Sequence, residues 1–395
     1  MNISEHDSKT KRILASSKLP ILLALLAIVL TLPALSVGLQ LDDFVHKLKL
    51  LGQETSPVED ASLFGLFSFL DGNADRTREL MDMGFLPWWT FENIKISFWR
   101  PLTEVFHYID YALWPNSPMF MHAHSLLWFG LLVFCVTIFY RRMLPVTWIA
   151  GLASLLYAID NAHGVPVGWL ANRNALLATT FGLITLILHD RWRRNQSQLS
   201  LVIAPLCLAL ALLSSEAAIA TCAYLFAYAV CIEPKNKLIS LAPYALVTLA
   251  WWVVYHAFGY GTWGSDFYLD PGDEPWLYLH ALVERVPALL AGQWGPLPAG
   301  TYLMLPKPLA GIFVLASMAF VIATTLILYP ALKGYRNTHF WFVGMMLSIL
   351  PVCAVDPSDR LLFFVGLGGM GLLAEFLVCS PTTDRQKYRL YCLYF

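Results

Sequence analysis

Apolar residues in this chain do not alternate with polar ones; they come in long, nearly unbroken runs. The first occupies 19–39, and nine more follow at about 119–140, 144–159, 165–189, 199–213, 217–232, 239–258, 309–330, 339–355 and 361–379. Roughly 20 apolar residues in a helix cross a bilayer, so the pattern predicts an all-α polytopic membrane protein with about ten transmembrane helices. Two gaps, 40–118 and 259–308, are long enough to hold structure of their own, and 380–395 reads as a short cytoplasmic tail. The whole of 1–395 is expected to form one integral membrane domain. A basic leader with Lys9, Lys11, Arg12 and Lys18 precedes the first run. That also suits a signal peptide cut near ALSVG, but the run is longer than a usual signal core and favours a retained anchor.

Composition supports the membrane reading. Hydrophobic residues make up 57% of the chain and charged ones only 13%, a balance that a soluble domain would struggle to keep in solution. The net charge of -1 gives no basic field for nucleic acid. The seven cysteines lie in or beside apolar runs, without metal-ligand spacing, and read as small core residues. With the N-terminus inside, the inner segments hold the leader, Arg141 and Arg142, Arg191, Arg193 and Arg194, Lys235 and Lys237, Lys333 and Arg336, and Arg385, Lys387 and Arg389. Every short inner loop is then basic, as the positive-inside rule requires. The same orientation puts Asp42, Asp43, Glu104, Asp110, Asp160, Glu216, Asp356 and Asp359 at the outer ends of spans or in outer loops. Carboxylates tucked against span ends are partly desolvated, which is costly unless they are paired or used.

In the first large gap, FWRPLTEVFHYIDYALWPNSP predicts a helix from Pro101 to about Leu113, with proline in its first turn and Pro115 ending it. At 3.6 residues per turn, Arg100, Glu104, His107 and Tyr111 share one stripe, and Leu102, Val105, Phe106, Ile109, Ala112 and Leu113 cover the other face. This describes a helix lying on the outer membrane surface with Trp99 and Trp114 as interfacial anchors and its polar stripe toward a pocket mouth. An ordinary charged surface face is the plainer reading, although a cation, an acid, an imidazole and a phenol make a poor solubilising face. A second constellation is YAIDNAHGVPVGWLANRNALLA: Asp160 and His163 fall on an outer turn, and Trp169 and Arg173 follow at i and i+4 in the next run. A guanidinium inside a span needs a carboxylate, a phosphate or a polar cavity, and Asp160 and Glu216 are the candidate structural partners. His122 and His124 read more simply as hydrogen-bonded core histidines.

These stretches, with LQLDDFVHKL after the first run, resemble the GT-C class of membrane glycosyltransferases, in particular the TMTC proteins of the protein O-mannosyltransferase-like family. SDRLLFFVGLGG, containing Arg360, is a weaker fourth match. The resemblance covers the first half of the chain well and the rest poorly. It implies that Asp42 or Asp43 is the catalytic carboxylate and that Arg100 and Arg173 serve the donor phosphate, with Glu104, His107, Asp160, His163 and Arg360 in the substrate region. Asp160 stands where the family has a first histidine, and Val165 replaces its usual acid. The form expected is a bacterial one without tetratricopeptide repeats, in the inner membrane with its site outside.

The chemistry implied is transfer of sugar from a polyprenyl-phosphate donor to an acceptor hydroxyl, with inversion. A carboxylate takes the hydroxyl proton and arginine stabilises the leaving phosphate. The second aspartate can raise the pKa of the first, bind acceptor or hold a metal, so a divalent metal stays open; no metal ligands and no other cofactor are assigned. Partners are membrane lipids and the lipid-linked donor. The sugar and the acceptor (glycan, lipid or protein) are not encoded legibly. A transporter or lipid flippase is the alternative, though such proteins place ionisable groups near the bilayer midplane and repeat their halves, and a scaffold without activity is a third reading.

Overall fold

The computed structural model describes residues 3–51, 64–233, 238–265, 267–333 and 336–379, so the tail lies outside the described residues. Helices dominate. In chain order they are α1 (Ile3–Leu14), α2 (Leu19–Thr31), α3 (Asp42–Leu51), α4 (Ala74–Asp82), α5 (Pro101–Leu113), α6 (Pro118–Met143), α7 (Thr147–Ala158), α8 (Gly164–Gly168) and α9 (Arg173–Asn195), then α10 (Gln198–Leu212), α11 (Ala220–Cys231), α12 (Ala242–Ala257), α13 (Pro275–Trp294), α14 (Thr301–Met304), α15 (Lys307–Leu332), α16 (Arg336–Val352) and α17 (Phe363–Cys379). Proline sits in the first turn of α2, α5, α6, α12, α13 and α15, where its missing N–H costs nothing.

Each of the ten apolar runs is helical, but among the described residues only five helical segments are long and apolar enough to cross a bilayer: Leu19–Ser36, Pro118–Met143, Leu170–Asn195, Ile239–Ala257 and Lys307–Tyr329. Thr147–Ala158, Gln198–Leu212, Glu216–Cys231 and Phe363–Leu377 are apolar but shorter. Polar capping residues bound the first three: Asp160 beyond α7, and Ser215 between α10 and α11. The run at 165–189 is also broken. Gly164, Pro166 and Gly168 leave a short helix and an extended Trp169, so Trp169 and Arg173 do not share a helix face.

The core is a bundle of α6, α7, α9, α11, α16 and α17, with Tyr140, Tyr157, Tyr224, Phe340 and Trp341 buried in it. Gly368 and Gly371 let α17 lie directly on Met345 and Trp341 of α16. Three tyrosine hydroxyls fix the start of α17: Tyr157, Tyr224 and Tyr140 donate to the carbonyls of Phe363, Phe364 and Leu367. By contrast, α12 and α15 expose Leu246, Leu249, Val253, Leu315, Ile322 and Leu326, the outward apolar faces that lipid would cover.

One small sheet departs from the all-helical expectation. Strands β1 (Ser68–Asp71), β2 (Lys95–Ser97) and β3 (Gly261–Trp263) pair antiparallel in that order, with Ser68 opposite Ser97 and Ile96 opposite Thr262. It ties the first large gap to the second. Beyond β3, Leu269 N–H donates to the Ala354 carbonyl at 2.8 Å, and Asp356 N–H to that of Phe267 at 3.2 Å, so 267–272 lies across the end of the bundle. The second half of that gap, α13, packs against α15 and α17.

Candidate functional site

The first helical run ends in a 3-10 turn, Leu32–Ser36, and the chain then reverses through Gly38 and through Leu41, whose φ is 42. A leucine in the left-handed region is strained, and such residues persist only where surrounding contacts hold them. Here Gln40 Nε2 donates to the Gly168 carbonyl at 2.8 Å and His122 Nε2 contacts the Gly38 carbonyl at 2.7 Å. The corner delivers Asp42 and Asp43 to the first turn of α3, where the helix dipole favours negative charge.

The two aspartates part ways there. Asp43 is buried, accepting from Gln40 N–H at 3.0 Å and Ala171 N–H at 2.7 Å. It joins α3 to the turn before α9, and burial pushes its carboxyl up to about 6 against those hydrogen bonds. Asp42 lines a cavity of about 430 Å³ instead. Burial raises its pKa, while Arg360 and Arg100 pull it down.

The cavity is lined by α3, β1 and β3, the start of α9, the ends of α12 and α16, and the start of α17. Phe67, Phe98, Trp169, Trp251, Tyr255 and Phe363 give it an aromatic wall. Its ionic groups differ in their commitments. Arg100, at the N-cap of α5, pairs with Glu216 at 2.8 Å and stacks on Phe98 at 4.4 Å. Arg360 stands 5.2 Å over the Trp169 ring and makes no ion pair within 4 Å among the described residues. Its guanidinium donors are therefore free to meet an anionic guest.

The other sequence-predicted residues do not line the cavity. The helix at Pro101–Leu113 forms with the expected bounds and exposes Val105, Ile109 and Leu113, but Glu104, His107 and Tyr111 of its polar stripe are buried inside the protein. Glu104 accepts from Leu66 N–H at 3.0 Å and is pushed up to about 7 by burial. His107 lies 5.2 Å from the His46 ring, and burial holds both imidazoles below the usual range, His46 at about 3. Asp160 caps the turn after α7 and accepts from Gln293 Nε2 at 2.8 Å. His163 is boxed between the rings of Tyr157 and Phe363, and burial lowers it to about 4.

Arg173 is wholly buried and saturated. It pairs with Asp110, donates to Ser125 Oγ at 2.8 Å and to the Met121 carbonyl at 2.6 Å. Its partner is thus neither Asp160 nor Glu216, and its position leaves no donor for a phosphate in the cavity. Asp110 also takes His124 Nδ1 at 2.7 Å. Glu216, Tyr255, His256 and Asp270 also line the cavity; of these only Glu216, a carboxylate in apolar surroundings, is marked by its local pattern.

No protein-family model matches the chain, and no curated protein matches it.

Proposed function

We propose that this cavity is the active site of a GT-C type glycosyltransferase that moves sugar from a polyprenyl-phosphate donor to an acceptor hydroxyl. The observation that carries the reading is Asp42, a partly desolvated carboxylate in an aromatic cavity whose free cation is Arg360. Asp42 accepts the proton of the acceptor hydroxyl as its oxygen bonds to the anomeric carbon. The bond from that carbon to the phosphate oxygen breaks, and Arg360, with Arg100 behind it, takes up the charge left on phosphate. Stacking rings such as Trp169 and Trp251 suit a sugar face or isoprenoid. The motif resemblance to TMTC proteins supports the same assignment, with Arg360 in the phosphate role that the resemblance gave to Arg173.

The same reading places the chain in a bacterial inner membrane with ten crossings, the shorter helices α7, α10, α11, α16 and α17 crossing inside the bundle and the cavity outside. In its favour, the described inner-segment arginines at 141, 142, 193, 194 and 336 gather at the helix ends remote from Asp42.

The test is release of sugar from radiolabelled polyprenyl-phosphate mannose and glucose by purified protein, beside Asp42→Asn and Asp43→Asn. Turnover that disappears with Asp42→Asn and survives in folded Asp43→Asn supports the assignment. A folded wild type that releases no sugar from any donor sinks it and favours transport or scaffolding.

A further inference from the structure

A second concavity lies at the other end of the bundle. The C-terminal ends of α6 and α9, the first residue of α7, the end of α11 and the N-terminus of α16 surround a pocket of about 160 Å³. Its wall holds Arg141, Arg142, Arg194 and Arg336, together with Asn337, and no carboxylate among the described residues. Asp190, set behind the wall, takes Arg142 Nε and Arg194 Nε, each at 2.6 Å. Among the described residues the other two arginines meet only carbonyls. Arg336 donates to Cys231 and Ile232, both at 2.9 Å, and Arg141 donates to Ser16. The Arg141 Nε is buried without a partner among the described residues.

Basic loops at one membrane face are ordinary, but that rule asks only for charge near the surface. Here four guanidinium groups from three helices converge on one concavity with a single neutralising acid. An unpaired buried donor beside surplus positive charge calls for an anion with several acceptor oxygens. The size admits a phosphate group.

We propose that this pocket binds a phosphate-bearing anion, with the phosphate on Arg141 and Arg336 and its flanks against Arg142 and Arg194. Basic pockets between membrane helices are suited to phospholipid headgroups, and a free phosphate offers the same oxygens; the experiment separates the two. Thermal unfolding of the full chain is followed in phosphatidylcholine nanodiscs with and without phosphatidylglycerol, and in detergent with inorganic phosphate against chloride of equal ionic strength. The variant is Arg141→Gln/Arg336→Gln, which spares the Asp190 pairs.

Stabilisation by phosphatidylglycerol, with apparent affinity falling about tenfold for each guanidinium removed, assigns a lipid headgroup. Stabilisation by inorganic phosphate alone, lost in the same variant, assigns a soluble phosphate. A wild type indifferent to both, or a variant that responds as the wild type does, overturns the site. Should the double variant not fold, Arg336→Lys and displacement of co-purified lipid by phosphate from the wild type take its place. Wild type that carries no phosphate-bearing lipid and gains nothing from inorganic phosphate ends the proposal.

Discussion

Asp42→Asn keeps the size of the side chain and, under the proposed function, removes the proton acceptor. A general base contributes about 10²–10⁴ in rate, so sugar release should fall at least about 100-fold while the unfolding temperature stays within a few degrees. Asp43→Asn should do the reverse: its amide would face the Gln40 or Ala171 N–H, leaving a buried donor unmet at roughly 1–3 kcal/mol, and thermal unfolding would report the loss. Because burial raises Asp42, the acid limb of the rate profile should lie above the ordinary carboxylate range. Arg360→Gln removes the cation that most opposes that rise, so the limb should move to higher pH still. A limb that moves down or stays put would separate Arg360 from Asp42. The adjacent acids were legible as a pair, but which one faces the cavity was not. That choice depends on a left-handed Leu41 and on the Ala171 N–H, 128 residues from Asp43, and no local spacing encodes either. Arg173 shows the same limit: its cost inside a span was legible, its partner Asp110 was not.

Glu104 makes α5 sensitive to pH. Its folded pKa of about 7 exceeds the ordinary 4.5, so the folded state holds that proton more tightly than the unfolded one. Stability therefore falls as pH rises from about 4.5 to 7, and the cost is fully present above 7. Glu104→Gln keeps an acceptor for the Leu66 N–H and loses the titration. At pH 8 the variant should exceed the wild type by roughly 3 kcal/mol, and at pH 4 the difference should vanish; a constant difference at both would dissociate Glu104 from the effect. The limits of α5 followed from Pro101 and Pro115 and from its period, and its exposed apolar side followed too. The fate of its polar stripe did not, since the pieces that bury it, α3 and Leu66, are tertiary neighbours. Between elements, Arg173→Met should cost about 3–5 kcal/mol by stranding Asp110. Adding Asp110→Leu should recover part of that loss in a double-mutant cycle.

At the scale of the molecule, the cavity and the basic pocket lie at opposite ends of α9 and α16, which makes orientation testable without knowing the reaction. In a cysteine-free background, an impermeant maleimide on intact cells should label an Asp75→Cys variant, and a Lys333→Cys variant only after lysis. Labelling of both from one side would remove the ten-crossing arrangement. The helical character of every apolar run was legible because each exceeds what a strand holds. The lengths were not, because Asp160, Ser215 and the broken segment at Gly164–Trp169 cut helices short where a hydropathy run continues. The small sheet was invisible for a related reason: strands of three and four residues carry no period, and β2 finds β3 only after α5 to α12 have been made. That delay bears on biogenesis. At a synthesis rate of about 5–20 residues per second, Ser97 waits roughly ten to thirty seconds for Gly261 to leave the ribosome. During that interval one flank of β2 offers unmated amide and carbonyl groups to any passing chain, so the nascent protein is most open to mispairing, and most in need of a chaperone, after the corner that carries Asp42 has formed and before its roof exists.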